Sequence, residues 1–233
     1  MTELPGLPFW IAVLQIVMID ILLGADNAVV IALACRGLPQ AQRRLGILYG
    51  TAGAIALRIL LVAFALRLLA LPFLKLAGGL LLLWIGVKVM QPQDGDAPHE
   101  EIRASNKLFG AVRTVILADL VMSVDNVLAI AAAAGSAGRH QLPLVIFGLL
   151  VSIPIIVAGS QLVLRLMDRF PVIITLGGML LGWIAGQMIY SDAGLQAHLP
   201  HAKAWEYAAA AGGALLVLAI AKATRLRRPG DES

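Results

Sequence analysis

Met18-Ile19-Asp20-Ile21-Leu22-Leu23-Gly24-Ala25-Asp26-Asn27 and Leu117-Ala118-Asp119-Leu120-Val121-Met122-Ser123-Val124-Asp125-Asn126 decide how this chain reads. Each stretch lies inside a long apolar run, and each carries two acidic residues six apart. The second Asp of each is followed by Asn. An ionised Asp at the centre of a bilayer costs about 2.5–3.5 kcal/mol on insertion scales. Four of them demand partners inside a bundle. The available partners are a metal ion, protons, and the cationic side chain of Arg58.

The surrounding chain fits a lipid solvent. Of 233 residues, 60% are hydrophobic and 14% are charged, against about 25% charged in ordinary soluble domains. Apolar blocks long enough to cross a hydrocarbon core of about 30 Å recur along the chain. They predict seven spans, at about 8–34, 44–66, 71–90, 108–134, 142–164, 171–190 and 204–224. Only helices or closed barrels satisfy backbone groups in lipid, and no strand-like alternation is present. The expected fold is an all-α membrane protein forming a single transmembrane domain over residues 1–233. Glu3 is the only charged side chain before Asp20, so the first block lacks a basic leader and is expected to remain as a span.

Basic residues set the expected orientation. With the N-terminus outside, the outer side receives Arg67, Lys75, Arg139 and Lys203, and Arg58 lies within a span. The other 13 of the 18 Lys and Arg fall on the cytoplasmic side. That asymmetry predicts an N-out, C-in, multi-pass protein of a bacterial inner membrane. The net charge of +4 then reports orientation and implies no nucleic-acid partner.

A shift of 99 residues lays the chain on itself without a gap. Asp20, Asp26 and Asn27 fall on Asp119, Asp125 and Asn126. Pro72 falls on Pro171, Gly78-Gly79 on Gly177-Gly178, and Trp84-Ile85 on Trp183-Ile184. Each repeat, about 8–90 and 108–190, holds three predicted spans. An odd number inverts the second copy relative to the first, and transporters built this way place their sites at the repeat interface. Residues 91–107 form the expected cytoplasmic linker, and the span at 204–224 is an extra C-terminal helix.

Helical spacing puts Asp20 and Asn27 on nearly one face, and Asp119, Ser123 and Asn126 on another. Asp26 and Asp125 lie well around the cylinder, unless the helix is irregular near Gly24 or Ser123. Carboxylate and amide oxygens are hard donors suited to Mn²⁺, Mg²⁺ or Ca²⁺. The one cysteine, Cys35, excludes an intrachain disulfide or a thiolate cluster. Met122 is either a thioether ligand or an apolar core residue. Arg58, whose counterpart is Val157, either pairs with an Asp of the empty site or extends toward the outer surface.

These paired motifs, Gly24-Ala25-Asp26-Asn27-Ala28 and Ser123-Val124-Asp125-Asn126-Val127, resemble the TerC family of integral membrane proteins, in its short seven-span form. The resemblance covers about residues 9–190. It implies efflux of Mn²⁺, as substrate and not as a resident cofactor, across the bacterial plasma membrane. The metal-site candidates are Asp20, Asp26, Asn27, Asp119, Asp125 and Asn126, with Met122, Ser123 and Arg58 as accessories. A homo-oligomer is compatible with this pattern. An alternative is a membrane factor that delivers metal to exported proteins without transport. An intramembrane aspartyl protease fits less well, because both motif Asp residues are followed by Asn and the Gly-x-Gly-Asp stretch of such enzymes is missing. The protein is therefore expected not to be an enzyme. Metal-free carboxylates that cannot stay ionised and unpaired would hold protons and release them on binding, so proton coupling is also expected.

Overall fold

The computed structural model describes residues 14, 17, 18, 26–69, 71–91, 100–135, 141–196, 200 and 202–226. Among them the fold is entirely helical. The helices are α1 (Asp26–Cys35), α2 (Gln40–Leu69), α3 (Leu74–Met90), α4 (Glu100–Gly135), α5 (Gln141–Arg169), α6 (Val172–Tyr190), α7 (Ala193–Gln196) and α8 (Lys203–Leu226). Four helices are long and apolar enough to cross a bilayer, over Gln40–Val62, Val145–Arg169, Val172–Tyr190 and Lys203–Thr224.

The other three predicted spans fall on α1, α3 and α4. The 17 residues of α3 sit at the short limit for a span. The 36 residues of α4 include charged side chains that dilute its apolar character. Helix α4 also starts at Glu100, so the second half of the expected linker is the first turns of a helix. Residues 92–99 of that linker lie outside the described residues.

Beside a core that is mostly apolar, several polar side chains are buried and many large apolar ones face outward. Asn27, Arg58, Asp119, Ser123, Ser152 and Ser160 are buried, while Leu60, Leu80, Trp84, Phe109, Leu162 and Leu176 are exposed. Apolar side chains outside and polar ones inside suit a lipid solvent, because a charged group can be satisfied only within the bundle.

Helix α6 packs against α3 and α8, and α2 packs against α4 and α5. The α3–α6 contact is reciprocal. A Cβ on Gly79 would meet Ile189 Cγ1 at 2.6 Å and the Ala185 carbonyl at 2.9 Å. A Cβ on Gly178 would meet Met90 and, at 3.4 Å, the Gly86 carbonyl. The 99-residue shift turns each set into the other. Two equivalent helices meeting antiparallel through equivalent residues are related locally by a two-fold axis perpendicular to both. Between α6 and α8, a Cβ on Gly182 would lie 2.9 Å from Ala214 Cα. Small residues permit this backbone approach, the usual basis of helix association in lipid.

The two ends of the bundle are tied differently. At one end Arg36 Nη2 donates to the Gln91 carbonyl at 2.7 Å. Nearby, Arg43 Nη2 donates to the Arg36 carbonyl at 2.9 Å, and its Nη1 pairs with Asp168 Oδ2 at 2.7 Å. These are bases that the sequence assigned to one side of the membrane. At the other end Asp192, 1% exposed, accepts hydrogen bonds from Phe73 N and Leu76 N, each at 3.1 Å, and from Gly194 N at 2.8 Å. Phe73 precedes α3 with φ 63°, a left-handed conformation costly for a bulky residue. The Asp192 carboxylate satisfies the N–H groups that this turn leaves without intrahelical partners.

Candidate functional site

The polar centre is assembled from four helices. Positions 51, 54, 55 and 58 share one face of α2, and Thr51, Ala54, Ile55 and Arg58 line a small cavity. Asn27 and Ile31 of α1, Asp119 of α4 and Ile156 of α5 complete its wall. The free volume is about 10 Å³, on the order of one water-sized particle.

Arg58 and Asp119 form an ion pair through Nη2 and Oδ1, with the side chains 3% and 6% exposed. Arg58 Nε donates to Ser123 Oγ at 3.0 Å, and Ser123 Oγ donates to Asp119 Oδ2 at 3.0 Å. The four-residue spacing from Asp119 to Ser123 puts both on one face of α4, as the sequence implied. The guanidinium thus turns inward to a carboxylate and does not extend to the surface. Of the four Asp residues read from sequence, Asp119 has its charge balanced by arginine rather than by a proton.

Asn27 is buried beside this pair, and neither its amide nitrogen nor its amide oxygen has a hydrogen-bond partner. The Thr51 hydroxyl is likewise buried and unpartnered. Leaving such groups unmade costs about 1–3 kcal/mol each, and both residues line the one cavity. Asp26 is half-buried, and its Oδ1 accepts from Asn27 N at 2.9 Å.

Asp20 lies outside the described residues. Asp125 and Asn126 have helical backbone in α4, but their side chains also lie outside what is described. Met122 packs in the apolar core with Val121 and Met188, and does not line the cavity. Among the described residues no three His, Cys, Asp or Glu side chains gather as a ready cluster. The structure therefore brings Asn27, Arg58, Asp119 and Ser123 together, with Asp26 adjacent in sequence. Thr51, one of the polar span residues that could line a pathway, joins them, and its partner under the 99-residue shift is Leu150.

An all-helical bundle, apolar outside and holding a buried ion pair and unsatisfied oxygens within, defines a polytopic integral membrane protein with a polar intramembrane centre. The family of integral membrane proteins named TerC matches residues 6–229, and the chain belongs to it. It is 44% identical over 184 residues to the uncharacterized membrane protein YjbE of Bacillus subtilis (strain 168), covering 79% of this chain and 81% of that one. It is 26% identical over 199 residues to YceF, an uncharacterized membrane protein of the same organism, covering 82% and 75%. The UPF0053 inner membrane protein YgdQ of Escherichia coli (strain K12) is 30% identical over 135 residues, covering 51% of this chain and 56% of that one. No solved structure matches the chain.

Proposed function

We propose that this protein carries a divalent metal ion across a bacterial inner membrane, and that its physiological substrate is Mn²⁺, moved outward. The observation that carries this is the Asn27 amide, buried with both polar atoms unpartnered beside the Asp119 carboxylate. An oxygen ligand waiting next to a buried negative charge suits a hard cation.

In this proposal seven helices span the membrane, with the N-terminus outside. The end bearing Arg36, Arg43 and Asp168 faces the cytoplasm, and the end capped by Asp192 faces outward. The reciprocal α3–α6 contact supports extending its local axis to the whole of both repeats, so that Asp20, Asp26 and Asn27 approach the same centre as Asp119, Asp125 and Asn126. Proton uptake by carboxylates as the ion leaves would couple export to proton entry. Binding would then weaken as pH falls.

Proteoliposomes test this. Wild-type protein should move Mn²⁺, and Asp26→Asn and Asp125→Asn should each nearly abolish the flux while the variants still insert and fold. Mn²⁺ should also protect the purified protein against thermal unfolding by mass action. Full flux in both variants would exclude the motifs as the route. Protection by Zn²⁺ or Cu²⁺ with none by Mn²⁺ would exclude the assigned ion class. Mn²⁺ binding without flux would favour a factor that hands metal to exported proteins.

A further inference from the structure

We propose that Asp119 is shared by two cations in turn, the Arg58 guanidinium and the transported ion, and that Thr51 is a ligand of the ion-bound state. This inference rests on the transport reading and adds to it how the empty site is held and which residue completes the loaded one.

The first observation is the ion pair. Arg58 reaches Asp119 directly and Ser123 through Nε, so both carboxylate oxygens are engaged, one by arginine and one by the serine hydroxyl. Each carboxylate oxygen keeps a second lone pair, so a metal ion would reach Asp119 at contact distance from the guanidinium. A second cation is not tolerated at contact distance from the first in a poorly solvated site. Loading must therefore displace Arg58, and release must readmit it. Arginine cannot shed its charge, so it serves as a counter-ion at any working pH. The empty carrier then crosses its return step without a bare Asp119 carboxylate in the bilayer interior.

The second observation is Thr51. Hydroxyls inside helices commonly bond back to the preceding turn. Thr114, Ser152, Ser160 and Thr224 do so here, at 2.8, 3.2, 2.9 and 3.0 Å to the carbonyls of Gly110, Gly148, Ile156 and Ile220. Thr51 makes no such bond, although it is 1% exposed. Thr51 lines the same cavity as Asn27, whose amide is equally unpartnered. Two neutral oxygens next to one carboxylate make half of a hard-cation shell, and the cavity has room for one such particle.

Three variants in purified form and in proteoliposomes test the proposal, with Mn²⁺ as the probe. Arg58→Gln should bind Mn²⁺ about tenfold more tightly or better, because the competing cation is gone. Its net efflux should fall, while exchange of Mn²⁺ across the membrane persists, since only the empty return step needs arginine. Arg58→Lys keeps a competing charge and should bind within about threefold of wild type. Thr51→Val keeps the shape and should bind about tenfold more weakly. Unchanged affinity in Arg58→Gln overturns the exchange of cations, and unchanged affinity in Thr51→Val overturns the ligand assignment. If Arg58→Gln does not fold, Thr51→Val with Arg58→Lys decides, and a Lys variant that binds tenfold more tightly counts against the proposal. If wild-type protein itself neither binds nor moves Mn²⁺, the transport reading has failed first.

Discussion

Among the described residues, two buried aspartates are held in opposite ways. Asp119, in the middle of α4, is held by side chains, the Arg58 guanidinium and the Ser123 hydroxyl. Asp192, just beyond α6, is held by the backbone N–H groups of Phe73, Leu76 and Gly194. Side chains can swing to other rotamers and let a guest in. Backbone donors at a helix start cannot leave without unwinding the helix. The first arrangement suits a site that changes occupants, and the second suits a fixed clamp between the α6–α7 turn and α3. A buried carboxylate is thus no evidence of function by itself, and the nature of its donors separates the two cases.

The difference has measurable consequences. The largest belongs to Asp119→Ala, which leaves the Arg58 charge buried without that partner. Loss of one member of a buried pair costs about 3–5 kcal/mol, and Mn²⁺ flux should vanish. Replacing both, Asp119→Leu with Arg58→Leu, should recover most of the thermal stability and none of the flux. Recovery of transport in the double variant would show that the pair is a clamp like Asp192, and the contrast would collapse.

Asp192→Ala should cost about 1–2 kcal/mol, the usual scale of a lost helix cap, with the flux per folded molecule unchanged. The effect should also depend on pH. Burial would raise the Asp192 pKa, but the N–H groups of Leu76, Gly194, Phe73 and Lys75 outweigh it and hold the carboxyl below its ordinary value. A group depressed in the folded state contributes fully above its unfolded value, about 3.9, and loses that contribution as pH falls through the folded value. The melting difference between wild type and Asp192→Asn should therefore be constant from neutral pH to about 5 and shrink below about 4. A difference that grew on acidification would contradict the clamp.

The smallest effect concerns the exposed pair between Arg43 and Asp168, where the Asp168 side chain is 54% exposed. Solvent screening leaves such pairs at about 0–1 kcal/mol. Asp168→Asn should shift the melting temperature little, and that little should disappear in high salt. A loss as large as that of Asp192→Ala would mean that this end of the bundle is clamped too.

Much of the centre was legible in the sequence because lipid imposes strong rules. Charged residues inside apolar blocks must face the interior, so Arg58, Asp119, Ser123 and Asn27 could be singled out from position and spacing alone. Membership of an all-helical membrane family followed from the block lengths and the Asp-Asn motifs. The 99-residue repeat even singled out the glycine pairs through which α3 and α6 meet. Asp192 had a weak local signal, an acidic residue two before Gly194 at the start of a short helix. Its other two partners lie 119 and 116 residues away, and no local pattern encodes such a distance. Thr51 stood among several polar residues within predicted spans that could line a pathway, and nothing separated it from the rest, because an intrahelical threonine ordinarily satisfies itself on the preceding turn.

By itself, then, the sequence determined the solvent of this chain, its helical character, its internal repeat and the residues too polar to face lipid. These follow from hydropathy and period, which are properties of segments. Tertiary structure alone decided that Arg58 turns inward to Asp119, that Thr51 and Asn27 are left with unmade hydrogen bonds on one cavity, and that Asp192 caps α3 from beyond the end of α6. Each of these depends on which donor reaches which acceptor across helices far apart in sequence, and only the packed chain brings those atoms within hydrogen-bonding distance.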